Sequence, residues 1–229
     1  LRSQTVQRWL AQAGIDYPLV RGGYKAMRHF LLQELERSVQ RASLVLVGGR
    51  TGTGKTRVIQ RLLRCVDLEG LAAHRGSTFG QLPQPQPSQI DFENALSIAL
   101  MKLLAQGDAP LYLEDEGRLI GRLALPECLR ARMALAPMVV VEESLERRID
   151  VVVEDYIVDL GSRYTELHGP RGAELHSAKM LDDLGRIRKR LGGQRHQEVS
   201  RMMTEAFARQ QRSGELAGHR QWIAALLEN

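Results

Sequence analysis

The chain has 229 residues, a formal net charge of +5 and two cysteines, a length that suits one α/β domain with an appendage. Cys65 and Cys128 have no C-x-x-C spacing, which argues against a zinc site or a disulfide framework and for a reducing cytoplasm. No apolar run approaches the ~20 residues that span a membrane, so we expect no membrane partner. The first residue is not methionine and no signal peptide follows it, so we expect that further chain precedes this sequence.

Residues 1–40 are predicted to form a small unit of two helices and one strand. Apolar residues recur at helical spacing over 5–13 and again over 24–39, and residues 17–20 are a strand candidate. So small a unit buries little surface by itself. It either packs on the next domain or is the end of a domain that lies upstream.

The most informative stretch is 44–56, LVLVGGRTGTGKT. Its four leading apolar residues predict a strand that is buried on both faces. The pattern G-x-x-x-x-G-K-[ST] follows, in which backbone N–H groups surround phosphate oxygens, Lys55 adds a charge and Thr56 ligates Mg²⁺. A helix is predicted over 57–64, with the phosphates at its N-terminus. The predicted phosphate-binding residues are Gly49, Arg50, Thr51, Gly52, Thr53, Gly54, Lys55 and Thr56.

A polar segment between glycines follows, and it contains His74, Arg75 and Ser77. In phosphoryl-transfer folds this region commonly faces the second substrate, so these three are second-substrate candidates; a solvated turn is the alternative. Residues 81–87, QLPQPQP, predict an extended surface loop. Ser88 then opens a capping box for a helix to about residue 104.

A second buried strand is predicted at 110–113, and it ends in Glu114, Asp115 and Glu116. An acidic residue at the end of a strand beside the P-loop strand is the Walker B arrangement, which completes a Mg²⁺ site. We favour Asp115 as the metal ligand together with Thr56. Glu114 or Glu116 would orient water or a substrate proton. The catalytic candidates are Lys55, Asp115 and Glu116, and a charged loop is the alternative.

Another apolar strand is predicted at 138–141, followed by a helix that starts near Leu145. Arg147 and Arg148 on this helix are second-substrate candidates, because arginines placed here close over the phosphates of nucleotide kinases. Solvated arginines are an equal alternative.

The chain becomes basic and helical after residue 171. Four of its cations fall within 186–190, and two adjacent glycines at 192–193 predict a break between helices. Basic helices are typical of RNA-binding surfaces, although a charge run is also typical of a solvated face. The RNA-binding candidates are Arg186, Arg188, Lys189, Arg190 and Arg195.

These elements predict a P-loop NTPase-like α/β fold with a doubly wound, mostly parallel sheet and a helical basic C-terminal region. The predicted domains are 1–40, 41–169 and 170–229.

Four long motifs surround the P-loop: RGGYKAM at 21–27, DLEGLAAHRGS at 67–77, PSQIDFEN at 87–94 and EDEGRLIG at 114–121. In this combination the chain resembles the tRNA 2-selenouridine synthase family over nearly its whole length. Two positions depart from the expected pattern, with Gly117 in place of serine and Ala73 in place of asparagine. Arg118, in the last motif, joins the second-substrate candidates.

The resemblance implies a transferase that joins a rhodanese-like domain to a P-loop domain. Residues 1–40 would be the end of the rhodanese-like part, whose catalytic cysteine lies upstream; Cys65 and Cys128 do not match it. The implied reaction converts wobble 2-thiouridine of tRNA to 2-selenouridine through S-geranyl-2-thiouridine, with geranyl diphosphate and selenophosphate as co-substrates. We expect the P-loop to hold the diphosphate with Mg²⁺, although ATP is a possible occupant.

Two other functions fit the residues without the resemblance. One is an ATP-dependent small-molecule kinase with Arg147 and Arg148 as a lid. The other is a module that uses nucleotide binding to gate tRNA docking without chemistry.

Overall fold

The structure is a computed structural model that describes residues 2–228. Its helices are α1 Arg2–Gln12, α2 Gly23–Arg41, α3 Lys55–Ile59, α4 Leu68–Ala72, α5 Gln89–Leu104, α6 Glu127–Met133, α7 Leu145–Val152, α8 Leu160–His168, α9 Gly172–Arg186, α10 Arg188–Leu191, α11 Gly193–Ser213 and α12 Ala217–Leu227. Its strands are β1 Leu44–Gly48, β2 Cys65–Val66, β3 Leu111–Glu114, β4 Leu119–Ile120, β5 Leu123–Ala124 and β6 Met138–Val140. A π-helical segment, Val153–Asp159, joins α7 to α8, and a 3₁₀ turn, Gly169–Arg171, joins α8 to α9.

The central sheet is parallel, with strand order β2-β3-β1-β6, and β4 and β5 form a separate antiparallel pair. Strand β3 lies directly beside β1, with Glu114 opposite Val47 in the register. Because parallel strands end at the same edge of a sheet, the carboxylates after β3 meet the loop after β1. The predicted P-loop fold with a parallel central sheet is confirmed.

The sheet packs against helices to form one hydrophobic core, which we call the sheet half. Helix α2 lies on α5 and contributes Leu35 and Val39 to the core that holds β1 and β3. The Ser97 hydroxyl of α5 donates to the Leu31 carbonyl of α2 at 2.7 Å. Helix α2 therefore supports the P-loop strand, while the assignment of residues 1–40 to a rhodanese-like domain stays a prediction.

Two local predictions are wrong. Residues 17–20 form no strand. Tyr17, Leu19 and Val20 stay exposed because no strand of the described residues, 2–228, lies beside them to complete a ladder. The helix predicted over 57–64 ends at Ile59. We attribute this end to Arg64, just before β2, because its guanidinium donates to the carbonyls of Leu103 in the last turn of α5 and of Gly107 and Ala109 beyond it.

Helices α7 to α12 enclose a second core, the helical half. A ladder of rings runs through it from Tyr164 to His176, Phe207, His219 and Trp222, with successive centroid distances of 5.5, 5.4, 4.7 and 6.0 Å. The predicted break at the paired glycines is confirmed, because α10 ends and α11 begins there.

Strand β6 is an edge strand, and among the strands of residues 2–228 it pairs only with β1. The strand expected at 138–141 is present, but Met138, Val139 and Val140 are 46, 55 and 55% exposed. No helix among residues 2–228 is long and apolar enough to cross a membrane.

Candidate phosphate-binding site

The loop after β1 has the backbone shape that its glycines allow. Gly49 and Gly52 have φ angles of 147° and 83°, which residues other than glycine rarely adopt. A Cβ at Gly49 would lie 2.6 Å from the Val141 carbonyl oxygen, and one at Gly52 would lie 2.6 Å from that of Arg148. The loop is thus wedged between the end of β6 and α7.

Three side chains hold this loop in place. The Lys55 ammonium donates to the Gly49 carbonyl at 2.8 Å, and the Thr53 hydroxyl donates to the Arg50 carbonyl at 2.9 Å. Arg148 is 6% exposed, and its Nε donates to the Thr51 carbonyl at 2.9 Å. Arg148 therefore supports the loop from behind.

A cavity of about 740 Å³ opens at this loop, and we call it the P-loop cavity. It contains most of the sequence-predicted site. The predicted residues that line it are Thr51, Gly52, Thr53, Gly54, Lys55, Thr56, Arg75, Ser77, Asp115 and Glu116.

The remaining candidates lie elsewhere. Gly49 and Arg50 do not line the cavity, and His74 faces an adjoining polar cavity of about 570 Å³. Arg118 is exposed outside both cavities. The Arg147 side chain is 70% exposed and lies 4.0 Å from Asp150. The structure therefore does not bring Arg118 or Arg147 to the P-loop.

The three carboxylates at the end of β3, Glu114 to Glu116, have different surroundings. Glu114 is fully buried and accepts from the Leu68 N–H at 2.9 Å; burial raises its pKa to about 8. Asp115 is exposed at the cavity. Burial and the neighbouring Glu69 raise the pKa of Glu116 to about 7. Asp115 and Glu116 thus face the cavity, whereas Glu114 is bonded to α4.

Glu69 is a site residue that sequence reasoning missed. Its carboxylate accepts from the Thr56 hydroxyl at 3.1 Å and from the Gly76 N–H at 2.6 Å. It therefore ties the P-loop to the segment that carries Arg75 and Ser77. A charged residue inside the apolar run of α4 was the available signal.

The oxygen donors at the loop suit Mg²⁺, which proteins often bind through one or two carboxylates together with substrate phosphates. The Thr56 hydroxyl and the Asp115 carboxylate both line the cavity. No group of three or more His, Cys, Asp or Glu within residues 2–228 could hold a metal by itself. An ion here would need phosphate oxygens to complete its coordination.

The π-helical segment forms the opposite wall. The Arg75 guanidinium donates to Asp159 at 2.5 Å and lies 5.4 Å from the Tyr156 ring centroid. The Tyr156 hydroxyl lies 2.8 Å from Ser77 Oγ, and burial raises the Tyr156 pKa to about 12. Tyr156 was also missed, because a single tyrosine in a helical pattern carries no distinguishing signal.

Ala73 is constrained by its backbone conformation, and the adjacent His74 is buried. Ala73 has a φ of 47°, a left-handed conformation that asparagine tolerates better than alanine. The expected asparagine at this position thus has a structural reason. His74 is buried with Nδ1 unpaired, and burial lowers its pKa.

The basic candidates of the helical half fall into two groups. Arg188, Lys189 and Arg190 are exposed. Arg186 pairs with Asp182 and Asp183 at 3.1 and 3.2 Å. Arg195 donates to the Ala225 carbonyl at 2.6 Å. The first three are available to a partner, and their role in RNA binding stays a prediction.

A parallel sheet whose central strand enters a glycine-rich loop, with Lys55, Thr56 and a carboxylate on the neighbouring strand, defines a P-loop protein. The family model described as "tRNA 2-selenouridine synthase AAA domain" matches residues 42–229. The chain belongs to this family.

Curated relatives agree with the family match. The chain is 50% identical over 228 residues to a tRNA 2-selenouridine synthase of Marinobacter nauticus, covering 99% of the chain and 62% of that protein. A protein of the same name from Pseudomonas fluorescens is 50% identical over 227 residues, with the same coverage of both chains. The chain thus spans about three fifths of the length of these relatives. No solved structure matches it.

Proposed function

We propose that the chain is the P-loop part of a tRNA-modifying transferase, in which the P-loop cavity binds the diphosphate of a group donor. The observation that carries this proposal is the loop itself, with Lys55 and Thr56 lining a cavity that also contains Asp115. The relatives are named tRNA 2-selenouridine synthase, and we infer the same overall reaction here, in a cytoplasmic setting.

The proposed donor is geranyl diphosphate and the acceptor is the sulfur of 2-thiouridine at the tRNA wobble position. A C–S bond forms at the first geranyl carbon while its C–O bond to the diphosphate breaks. Pyrophosphate leaves with the electron pair, and the thiouracil ring loses its N3 proton. The selenium of selenophosphate then attacks C2 of the ring, and the geranylthio group leaves as geranylthiol. Water cleaves the Se–P bond and releases phosphate to give 2-selenouridine, a step for which we expect the upstream rhodanese-like domain to be required.

The residues of the cavity suit the departure of pyrophosphate. Backbone N–H groups of the loop and the Lys55 ammonium would stabilise the charge that develops on the leaving group. Thr56 and Asp115 would hold Mg²⁺, which would neutralise part of the same charge when bound. Glu116 lines the same cavity and is our candidate for orienting the acceptor or receiving its proton.

We propose that tRNA approaches from the exposed cations of α10. Arg188, Lys189 and Arg190 make no hydrogen bond or ion pair among the side-chain contacts of residues 2–228, so they are available for RNA phosphates. Binding through phosphate contacts should weaken steeply with salt.

The first test is calorimetric titration of the chain with geranyl diphosphate and, separately, with Mg-ATP. We expect Lys55→Ala to weaken geranyl diphosphate binding by at least about tenfold, because a charge-assisted contact to phosphate is lost. Lys102→Ala, on the exposed face of α5, is the matched control and should change nothing. Lys55-dependent binding of Mg-ATP alone would instead favour the kinase or the nucleotide-gated module.

A second test uses the full-length enzyme. Lys55→Ala should abolish geranylation of tRNA and leave selenophosphate exchange on pre-geranylated RNA intact. Equal loss of both steps would count against a P-loop that serves the prenyl donor.

A further inference from the structure

A second cavity, of about 400 Å³, adjoins the P-loop cavity, and we call it the apolar chamber. Thr51, Ser77 and Tyr156 line both cavities. The other residues of the chamber are Thr78, Phe79, Val152, Met180, Ile187, Arg190, Leu191, Trp222, Ile223, Leu226 and Leu227.

The chamber is apolar because helices α7, α9, α10 and α12 and one loop place hydrocarbon side chains in its wall. Helix α12 supplies four residues, from Trp222 to Leu227, while Val152 comes from α7, Met180 from α9 and Phe79 from the loop after α4. Of the residues that form the chamber wall, those of α12 lie farthest in sequence from the P-loop.

Arg190, Thr51 and Thr78 line the chamber, and the polar groups of Trp222 and Tyr156 are paired within the protein. The Trp222 indole N–H donates to His219 Nδ1 at 3.1 Å, so it is not directed at a ligand. The Tyr156 hydroxyl is paired with Ser77 at 2.8 Å. A purine base would need hydrogen-bond partners for its ring edge, whereas a hydrocarbon tail would need none.

We propose that the apolar chamber binds the hydrocarbon tail of a short isoprenoid diphosphate whose head occupies the P-loop cavity. This inference rests on the proposed function, in which the P-loop cavity binds the diphosphate head. It additionally assigns the residues that select the hydrocarbon tail. The bond between head and tail would lie at the boundary formed by Thr51, Ser77 and Tyr156. The acceptor sulfur would have to reach that boundary.

The chamber also limits the length of the tail. Its volume is near the lower end of ligand pockets, which run from about 300 to about 1,000 Å³. A tail that exceeds the chamber would leave carbon in water and gain no further affinity. The chamber should therefore favour a tail of intermediate length over a longer one.

The test compares inorganic pyrophosphate with dimethylallyl, geranyl and farnesyl diphosphate by calorimetric titration of the chain. Burying each additional isoprenoid unit should raise affinity at least about tenfold, up to geranyl and not beyond. Leu226→Trp, at a half-buried position on α12, should fill the chamber. It should lower the affinity that geranyl diphosphate gains over pyrophosphate by at least about tenfold. Pyrophosphate affinity should stay unchanged.

Two further variants make the result decisive. Leu181→Trp changes another half-buried leucine of the helical core that does not line the chamber, and it should retain the tail dependence. Leu226→Ala enlarges the chamber and should raise farnesyl relative to geranyl affinity, which gives a readout even where the tryptophan variant does not fold.

The outcomes separate the two proposals. If affinity does not change with the length of the tail while pyrophosphate binding still depends on Lys55, the chamber inference is overturned and the phosphate site stands. If Leu226→Trp and Leu226→Ala both leave the tail dependence unchanged, the tail lies elsewhere. If pyrophosphate binding does not depend on Lys55, the proposed function itself fails.

Discussion

The sheet half and the helical half of the molecule differ in what fills their cores. The sheet core is almost entirely aliphatic around Phe92, whereas the helical core contains the ring ladder with two buried histidines, His176 and His219. The sheet half supplies the backbone loop that suits phosphate, and the helical half supplies most of the hydrocarbon wall of the chamber. Charge recognition and apolar recognition are thus divided between two separately packed regions.

Several polar contacts join the halves at the site, beside the apolar contact that Phe79 and Leu82 make with the helical core. Arg57 pairs with Asp155 at 2.9 Å, Arg75 pairs with Asp159 at 2.5 Å, and Arg148 holds the Thr51 carbonyl. A polar junction couples two cores less strongly than shared apolar burial does. We therefore expect that a change that destabilises one half has a limited effect on the stability of the other.

The largest expected effect comes from emptying each core in turn. Phe207→Ala in the helical half and Phe92→Ala in the sheet half should each cost about 3–5 kcal/mol of local stability, because each deletes a buried ring. Amide hydrogen exchange should show that Phe207→Ala lowers protection in α11 and spares β1 and β3. Phe92→Ala should give the reverse pattern. Equal loss of protection in both halves for either variant would mean one cooperative unit.

The second-largest expected effect is a loss of stability of the helical half at acidic pH. Burial, with repulsion from His176, lowers the pKa of His219 to about 4. The unfolded chain takes up a proton near the ordinary value of about 6.5 and the folded chain does not, so stability falls as pH drops through this window. The loss should reach about 2 kcal/mol between about pH 6.5 and about pH 5.

Denaturant unfolding at several pH values measures this slope, and His219→Gln is its control. In the folded state His219 Nδ1 accepts from Trp222, and its Nε2 lies 3.0 Å from Gln210 Oε1. Glutamine retains a donor and an acceptor without the titration. The variant should show a flatter acid dependence, and an unchanged slope would remove His219 as the cause.

The smallest expected effect concerns the junction itself. Arg148→Gln removes the hydrogen bond to Thr51 and should cost about 1.5 kcal/mol. It should also weaken pyrophosphate binding, because the loop loses its support. Arg147→Gln changes the exposed neighbour and should stay within about 0.5 kcal/mol. Thermal unfolding and titration of both variants provide the measurement, and identical behaviour would show that Arg148 does not position the loop.

The sequence predicted those parts of the site whose residues are contiguous. The P-loop and the acidic end of β3 each lie in one short segment, so the spacing alone indicated phosphate chemistry. The Ser88 cap of α5 was equally local, and its hydroxyl accepts from the Asp91 N–H as expected.

The rest depended on packing between distant segments. The helix after the P-loop was predicted too long because the bonds of Arg64 to the end of α5 cannot be seen in a local pattern. Residues 17–20 have strand-like composition without a neighbouring strand. The chamber could not be predicted either, because Phe79, Val152 and Trp222 belong to segments separated by dozens of positions and carry the ordinary signal of helix or loop residues.

The exposed edge of β6 has a consequence for work with the chain in solution. Beyond β1, its backbone groups have no strand partner within residues 2–228, and apolar side chains extend from both faces of the strand. Such an edge is a template for pairing with another strand, and charged residues are the usual protection against it. Concentrated samples should self-associate through this edge, and a lysine at Val139 should keep them dispersed.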